Sequence, residues 1–339
     1  MAKEAKKSGA KDTKKLPLKL RVKAWWEGYD EDEIAAKMKP KQSSESEEPK
    51  TKVKEEAPAE EPAEEEVEEE TGPWTSMRAD VSQLIWGEGY CGPGGKQQIV
   101  GMTKLLALNK KMTMLEVGAG MGGPARVLAE NFGVWVEGLE QAEKMVEVGN
   151  QISEKEGLSK KVTLTQFDEK AFDSLERKYD RIFSKECFFQ FTEKKVIMET
   201  LFQHLKQEGL MLITDYIIDN EGVVGSEEYR EWRDGEYRRP YPITKKEMET
   251  LMKNAGFVVR ISEDITDQYL QMISGAWKGA DKVIAGLVQE PNGTKMIDTL
   301  LREAEFWSRR TKMMESGQLK LWRFLGYRRE EGAKMMSDW

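Results

Sequence analysis

From residue 113 to 217, short apolar runs of strand type take turns with longer stretches whose apolar side chains recur every third or fourth position. The runs predict strands over 113–118, 134–140, 162–167, 180–184 and 209–217; the stretches predict helices over 122–131, 141–156 and 193–206. Alternation of this kind argues for an α/β fold, a parallel sheet with helices on both faces. A helix over 245–253, a stop at Gly256 and a strand over 257–261 follow. A long helical stretch then carries Tyr269, Met272, Trp277, Ile284, Leu300, Phe306 and Trp307. The final apolar run, 319–327, reads as a late antiparallel strand closing the sheet. The helical insert before that strand, about 264–317, is expected above the sheet edge as a cap over the substrate. Upstream, helices over 81–86 and 96–106 flank the glycine-rich loop 87–95, whose Trp86 and Tyr90 give it the make-up of a lid.

Before residue 73 this periodicity disappears. Residues 1–15 are rich in Lys, Ala, Gly and Ser and read as a disordered basic tail. Residues 16–40 hold a short amphipathic segment with Trp25 and Trp26, a docking surface for the body of the protein or for a second copy in a homodimer. Residues 41–72 form an acidic Glu/Pro/Ala/Ser linker with too little apolar surface to offset the entropy of ordering. The domain proper is expected over 73–339.

The formal net charge of −8 argues against nucleic acid as the main partner. No run approaches the roughly 20 apolar residues of a membrane span. The basic start has no apolar signal region behind it, so the protein is expected to be cytoplasmic. Cys91 and Cys187, far apart, suggest neither a disulfide framework nor a zinc site, and no metal is expected.

The chain is organised around Met114-Leu115-Glu116-Val117-Gly118-Ala119-Gly120-Met121-Gly122-Gly123, an apolar strand running through an acid into a glycine turn and then a helix. Such a turn lets backbone approach a ligand and delivers it to a helix N-terminus. The triplet Gly118, Gly120 and Gly122 alone suits any nucleotide-type cofactor, including NAD, and an ordinary α/β turn as well. Three acids narrow it. Glu116 precedes the first glycine, where a cofactor with a cationic amino-acid tail needs a carboxylate. Glu140 ends the next strand about 20 residues on, where a ribose diol is held. Asp168 follows the third strand, placed for an adenine amine. Gln141, beside Glu140, and Lys185, at the fourth strand tip, complete the cofactor set.

For chemistry on a second ligand, Glu186, Phe189 and Gln190 follow the fourth strand and Tyr216 ends the fifth. Trp86, Tyr90 and Tyr216 offer aromatic faces to a positively charged sulfur, or simply pack in a lid. Arg238 and Arg310 stand in basic clusters that read either as a surface face or as a fork for an anionic substrate group. The single histidine, His204, lies near the end of a helix remote from the strand tips, so no general base is expected in the site.

Glu116 with the glycine loop, then Glu140, then Asp168, at three successive strand ends, resemble the class I S-adenosylmethionine methyltransferases. That resemblance implies a Rossmann-like seven-stranded sheet and S-adenosyl-L-methionine as cofactor. From about Val81 to Arg328 the chain is similar to the group that includes phosphoethanolamine N-methyltransferases and sterol methyltransferases. The resemblance rests on Trp86-Gly87-Glu88-Gly89-Tyr90 with Gly94-Gly95, Leu212-Ile213-Thr214-Asp215-Tyr216, Pro242-Ile243-Thr244, Trp307-Ser308-Arg309-Arg310 and Trp322-Arg323-Phe324. The catalytic Tyr/His pair of the phosphobase enzymes falls on Ser82 and Gln190 here, so both partners are missing. The segment from Leu16 to Tyr29, the acidic linker and Gly122-Gly123-Pro124-Ala125-Arg126 resemble the bacterial methylthiohydroxybutyrate S-methyltransferases of dimethylsulfoniopropionate synthesis. This implies S-methylation of 4-methylthio-2-hydroxybutyrate, a small thioether carboxylate, to a sulfonium. A thioether sulfur has a lone pair and no proton to lose, so alignment and desolvation suffice. N-methylation of a phosphobase or lipid headgroup, or sterol C-methylation, is the alternative. A cofactor-binding protein without turnover is a third reading.

Overall fold

The structure, a computed structural model, describes residues 72–329, the side chains of Ala171, Asp173 and Ser174 excepted. The expectations for the basic tail, the docking segment and the acidic linker therefore lie outside the described residues.

Two helices lead in, α1 (Ser76–Trp86) and α2 (Lys96–Thr103). Thr75 starts α1 by accepting the Arg78 N–H on its hydroxyl at 3.2 Å. The alternating unit follows as β1 (Thr113–Val117), α3 (Gly123–Phe132), β2 (Trp135–Glu140), α4 (Glu143–Lys155), β3 (Val162–Gln166), β4 (Tyr179–Lys185), α5 (Lys194–His204) and β5 (Leu205–Ile218). A further helix, α6 (Glu227–Gly235), and a two-residue strand, β6 (Ile243–Thr244), precede α7 (Lys245–Ala255) and β7 (Val258–Asp264). The insert is three helices, α8 (Thr266–Trp277), α9 (Ala280–Leu287) and α10 (Gly293–Glu315), and β8 (Leu319–Tyr327) closes the sheet.

The sheet order is β3-β2-β1-β4-β5-β8-β7, with β6 attached to β5 off this path. β8 runs antiparallel to both of its neighbours, while the other main strands are parallel. This is the expected sheet of seven main strands, with the helical insert before its last strand. Neighbouring strands β1 and β4 reverse the order of connection, so a crevice opens beyond their C-terminal ends.

The alternation within β1 decides where its carboxylate points. Leu115 and Val117 join Ile197, Leu201, Met248 and Met252 from α5 and α7 on one face. Met114 joins Ala125, Leu128 and Ile99 from α3 and α2 on the other. Glu116 shares the face of Met114, one residue from the strand end, and emerges beneath the glycine turn.

Several boundaries differ from the sequence pattern: α1 begins at Ser76 rather than 81, α2 ends at Thr103 rather than 106 and β7 runs on to Asp264 rather than 261. The apolar run 209–217 is the regular part of a longer strand. β5 begins at Leu205, opposite Tyr179, and resumes regular pairing at Leu210 opposite Arg181, so residues 206–209 bulge. Helix α6 was not legible because its apolar positions are few; only Tyr229 and Trp232 are buried in it. By contrast α7 starts at Lys245 as the pattern predicts, and Thr244 gives it a reciprocal cap: the Glu247 N–H reaches the Thr244 hydroxyl at 3.3 Å and the Thr244 N–H reaches the Glu247 carboxylate at 2.7 Å. Among the described residues no helix is long and apolar enough to cross a membrane.

Candidate active site

A cleft of about 1080 Å³, counting its space open to solvent, lies over the ends of β1, β2 and β4. Its floor is the glycine turn. Gly118, Gly120 and Gly122 have φ of 77°, 55° and 74°. A Cβ on Gly118 would stand 2.5 Å from the Cys187 sulfur. The turn is tied to β2 by the Gly118 and Ala119 N–H groups, which donate to the Leu139 carbonyl at 2.8 and 3.0 Å. Arg126 holds it from the helix side, donating to the Met121 and Gly149 carbonyls at 2.8 and 3.1 Å while pairing with Glu156 at 3.2 Å. Loop 87–95 crosses above, the Gly123 N–H donating to the Gly89 carbonyl at 3.1 Å.

Glu116 lines this floor at 1 % exposure, and neither carboxylate oxygen has a hydrogen-bond partner. Burial pushes its carboxyl up to about 8, although Lys185 and Arg126 pull the other way. A buried carboxylate without a partner invites a cationic donor. Glu140 accepts the Gly120 N–H at 3.0 Å and the Ala142 N–H at 2.9 Å, which leaves lone pairs on both oxygens for a diol. The unpartnered acid, the acceptor at the β2 tip and the glycine turn fit the ammonium, ribose and backbone-facing parts of S-adenosylmethionine. Gln141 and Lys185 also line the cleft. Asp168 does not. It is exposed, caps the Lys170 N–H at 3.0 Å and borders a separate groove with Glu137 and Arg177; its neighbour Phe167 reaches the cleft instead.

The opposite wall is made of side chains. Glu186, Gln190, Arg238 and Arg310 line it, whereas Tyr90 lines the cleft from the glycine-turn side, its ring against Gly123. Trp86, Phe189 and Tyr216 do not reach its surface. Trp86 is packed in the cap, its ring 4.7 Å from that of Trp307 and 6.3 Å from that of Trp277. Phe189 and Tyr216 are fully buried with ring centroids 5.0 Å apart, behind Arg310. The aromatic side chains that do line the cleft are Trp74, Tyr90, Phe167, Tyr237, Phe306 and Trp307. Tyr237, like Glu236 and Arg238, belongs to a loop that bridges three elements. Glu236 takes Arg310 of α10 at 2.8 and 2.6 Å, Tyr237 stacks on Arg78 of α1 at 3.2 Å to the ring centroid, and Arg238 bonds to the Gln141 side chain.

Arg310 is thus a paired charge in an aromatic setting, 4.4 Å from the Phe306 centroid and 4.8 Å from that of Tyr216. Its pKa is raised, because the attraction of Glu236 and the hydrogen bonds to it outweigh burial. Arg78 and Glu303, both buried, form a second pair. Lys185 and Glu186 form a third at 2.6 Å. Arg238 has no carboxylate partner among the described residues. His204 lies at the other end of the sheet, at the start of β5, its Nδ1 2.8 Å from the Arg177 carbonyl. Ser82 is buried in α1 and Gln190 is half-buried on the cleft wall, so no Tyr/His pair forms at those positions.

Arg78, Trp74, Glu236, Tyr237 and Tyr269 do not stand out in the sequence as site residues. The signal available was faint: an aromatic between charged residues in Glu236-Tyr237-Arg238-Arg239, and an arginine at a core-facing position of a helix for Arg78 and Arg126.

A family model described as a methyltransferase domain matches residues 108–273. The chain is 25% identical over 203 residues to phosphoethanolamine N-methyltransferase 2 of Caenorhabditis elegans, covering 59% of this chain and 45% of that protein. It is 24% identical over 202 residues to phosphoethanolamine N-methyltransferase of Plasmodium falciparum, covering 59% and 74%. The solved Haemonchus contortus phosphoethanolamine N-methyltransferase 2 in complex with S-adenosyl-L-methionine superposes with a TM-score of 0.64 at 21% identity, over 74% of this chain and 57% of that one. The match thus spans less than half of the first relative. The fold, the cradle and these matches define a class I, S-adenosylmethionine-dependent methyltransferase domain. Its relatives include the phosphoethanolamine N-methyltransferases.

Proposed function

We propose that the protein transfers the methyl group of S-adenosylmethionine to the thioether sulfur of a small carboxylate, 4-methylthio-2-hydroxybutyrate, giving the dimethylsulfonio product of the dimethylsulfoniopropionate route. The bound cofactor supplies an electrophilic methyl on a sulfonium. Glu116 would take its ammonium, Glu140 its ribose and the glycine turn its approach along the backbone.

The observation that carries the reading is the charge inventory of the acceptor wall. Arg310, Arg78 and Lys185 are each neutralised by a carboxylate, whereas Arg238 keeps an uncompensated charge, which suits one anionic group. No histidine lines the cleft, and the lysine and tyrosine that contact the Glu186 carboxylate both reach its Oε2. A sulfur acceptor needs neither. Trp74 and Tyr237, which hold Arg78, and Phe306 and Trp307, which hold Arg310, give that wall an apolar lining that would shield the acceptor from water.

The test is incubation of the full-length protein with methyl-labelled cofactor and 4-methylthio-2-hydroxybutyrate across pH. Label in a sulfonium product supports the reading; no transfer at any pH rejects it. A second reading, methylation of a phosphobase, is favoured by the names of the relatives. Turnover of phosphoethanolamine in the same assay, with none of the thioether, selects it.

A further inference from the structure

Among the described residues only three that are not glycine have positive φ, and one of them is Glu186, at 49°. A carboxylate side chain in that conformation is strained and persists only where its surroundings hold it. Here β4 ends one residue earlier, and the Glu186 N–H donates to the Thr214 carbonyl of β5 at 2.7 Å. The twist turns the side chain into the cleft, where it is 11% exposed.

Its two oxygens are used unequally. Oε2 receives Lys185 Nζ at 2.6 Å and the Tyr269 hydroxyl at 2.8 Å. Oε1 has only the Thr214 hydroxyl at 3.4 Å, at the limit of a hydrogen bond. The direction of the contacts behind it is fixed. Arg310 can only donate, and does so to the Tyr216 hydroxyl at 3.2 Å; Tyr216 therefore donates to Tyr269 at 2.9 Å, and Tyr269 to Glu186. Glu236 anchors the far end. The chain of donors holds Glu186 as a pure acceptor with a free position on Oε1.

We propose that Glu186 Oε1 recognises the 2-hydroxyl of the acceptor and so selects a 2-hydroxy acid over the corresponding 2-oxo or unsubstituted acid. This rests on the thioether-carboxylate reading, with Arg238 taking the carboxylate. A hydroxyl donates to Oε1. A carbonyl turns lone pairs toward a carboxylate that cannot donate, and a methylene leaves Oε1 unpaired. Lys185, on the same carboxylate, disfavours an ammonium at that place and so turns the preference toward a neutral donor.

The experiment measures binding of 4-methylthio-2-hydroxybutyrate, 4-methylthiobutyrate and 4-methylthio-2-oxobutyrate to the full chain saturated with S-adenosylhomocysteine, by calorimetry, alongside turnover. The hydroxy acid is expected to bind about 10- to 100-fold tighter than the other two, the range for a hydrogen bond to a charged group. Glu186→Ala should erase the difference between the hydroxy and unsubstituted acids. Glu186→Gln, whose amide can donate, should bring the oxo acid level with the hydroxy acid. Unchanged affinity for S-adenosylhomocysteine reports an intact fold in both variants. Equal binding of the hydroxy and unsubstituted acids by the unaltered protein, or a preference that survives Glu186→Ala, overturns the proposal. Two sulfur-free acids separate its failure from that of the underlying reading. Preference for 2-hydroxyhexanoate over hexanoate without turnover of any thioether leaves Glu186 its role and removes the thioether. Turnover of the hydroxy and the unsubstituted thioether with equal kcat/KM does the reverse.

Discussion

The two walls of the cleft are built by different means. The cofactor wall is backbone: glycines in left-handed conformations, N–H groups aimed at Leu139 and Glu140, all within about thirty residues of chain. The acceptor wall is side chain: Arg78 meets Glu303, Arg310 meets Glu236 and Tyr269 meets Glu186 across 225, 74 and 83 positions. A wall of backbone is sensitive to volume, and a wall of ion pairs to charge. The first should fail on one added methyl group, and the second on the loss of one carboxylate.

The largest expected effect is on the first wall. Gly118→Ala places a methyl group against Cys187 at 2.5 Å and forces a side chain onto φ 77°. Affinity for S-adenosylhomocysteine should fall by about 10²-fold or more, the strain and clash together exceeding the 1–3 kcal/mol of a single strained residue. Adding Cys187→Gly removes both atoms that the new methyl group meets at 2.5 Å, the Cys187 Cβ and Sγ, and leaves the strain, so part of the affinity should return. Full affinity in Gly118→Ala, measured by calorimetry, would show that the wall is not set by volume.

On the second wall the test is Glu236→Gln. It strands the Arg310 guanidinium among Phe189, Tyr216, Phe306 and Trp307, and loss of one partner of a buried pair costs about 3–5 kcal/mol. A clear drop in thermal midpoint is expected. Combined with Arg310→Met, which removes the stranded charge, the drop should shrink, since an apolar replacement of the whole pair is often neutral. If the double variant melts no higher than Glu236→Gln, the pair is not the unit that holds the cap.

The floor between the walls should respond to pH. Burial pushes the Glu116 carboxyl up to about 8 where no ligand ammonium faces it. A ligand ammonium prefers the ionised form, so S-adenosylhomocysteine should bind more tightly as pH rises from about 6 to 8, by up to roughly tenfold per unit, and then level off. The stability of the ligand-free protein carries the opposite sign. The folded state holds a proton that the unfolded chain has released, so this group's contribution falls between about pH 4.5 and 8 and is constant above. Glu116→Gln should flatten both slopes. A binding curve as steep in that variant as in the unaltered protein would assign the titration to another group.

The same contrast explains what could be read from the sequence. The cofactor wall is local: an apolar strand, an acid, three glycines and a second acid at the next strand tip lie in one stretch, and each is chosen for a backbone reason that a sequence displays. The parallel sheet followed from the same alternation, and the insert from its helical period. The acceptor wall depends on which side chains meet over long separations. Trp86 and Tyr216 stand beside functional positions in the chain yet end in a second layer, because the cap helices and the loop after α6 supply better-placed rings in Trp307 and Tyr237. Asp168 follows its strand as expected, but its carboxylate caps the next turn and leaves the cleft to Phe167.

The smallest effect expected is at His204, and it bears on both walls at once. This is the chain's only histidine. Its Nδ1 lies against the Arg177 carbonyl at the end of the sheet opposite the cleft. If acceptor activation needed a base of near-neutral pKa, an imidazole would be the ordinary choice, and general acid–base catalysis is worth about 10²–10⁴-fold. A residue at the wrong end of the sheet cannot deliver a proton to the cleft. His204→Ala should therefore slow turnover by far less than that range and alter only local stability, through one hydrogen bond of about 1 kcal/mol. Should the variant keep its fold and yet turn over more slowly by about 10²-fold, the low end of what such catalysis supplies, a proton is moved in the reaction after all. The acceptor would then be an amine or a hydroxyl, and the division between a backbone wall for the cofactor and a charge-balanced wall for a thioether would have to be redrawn.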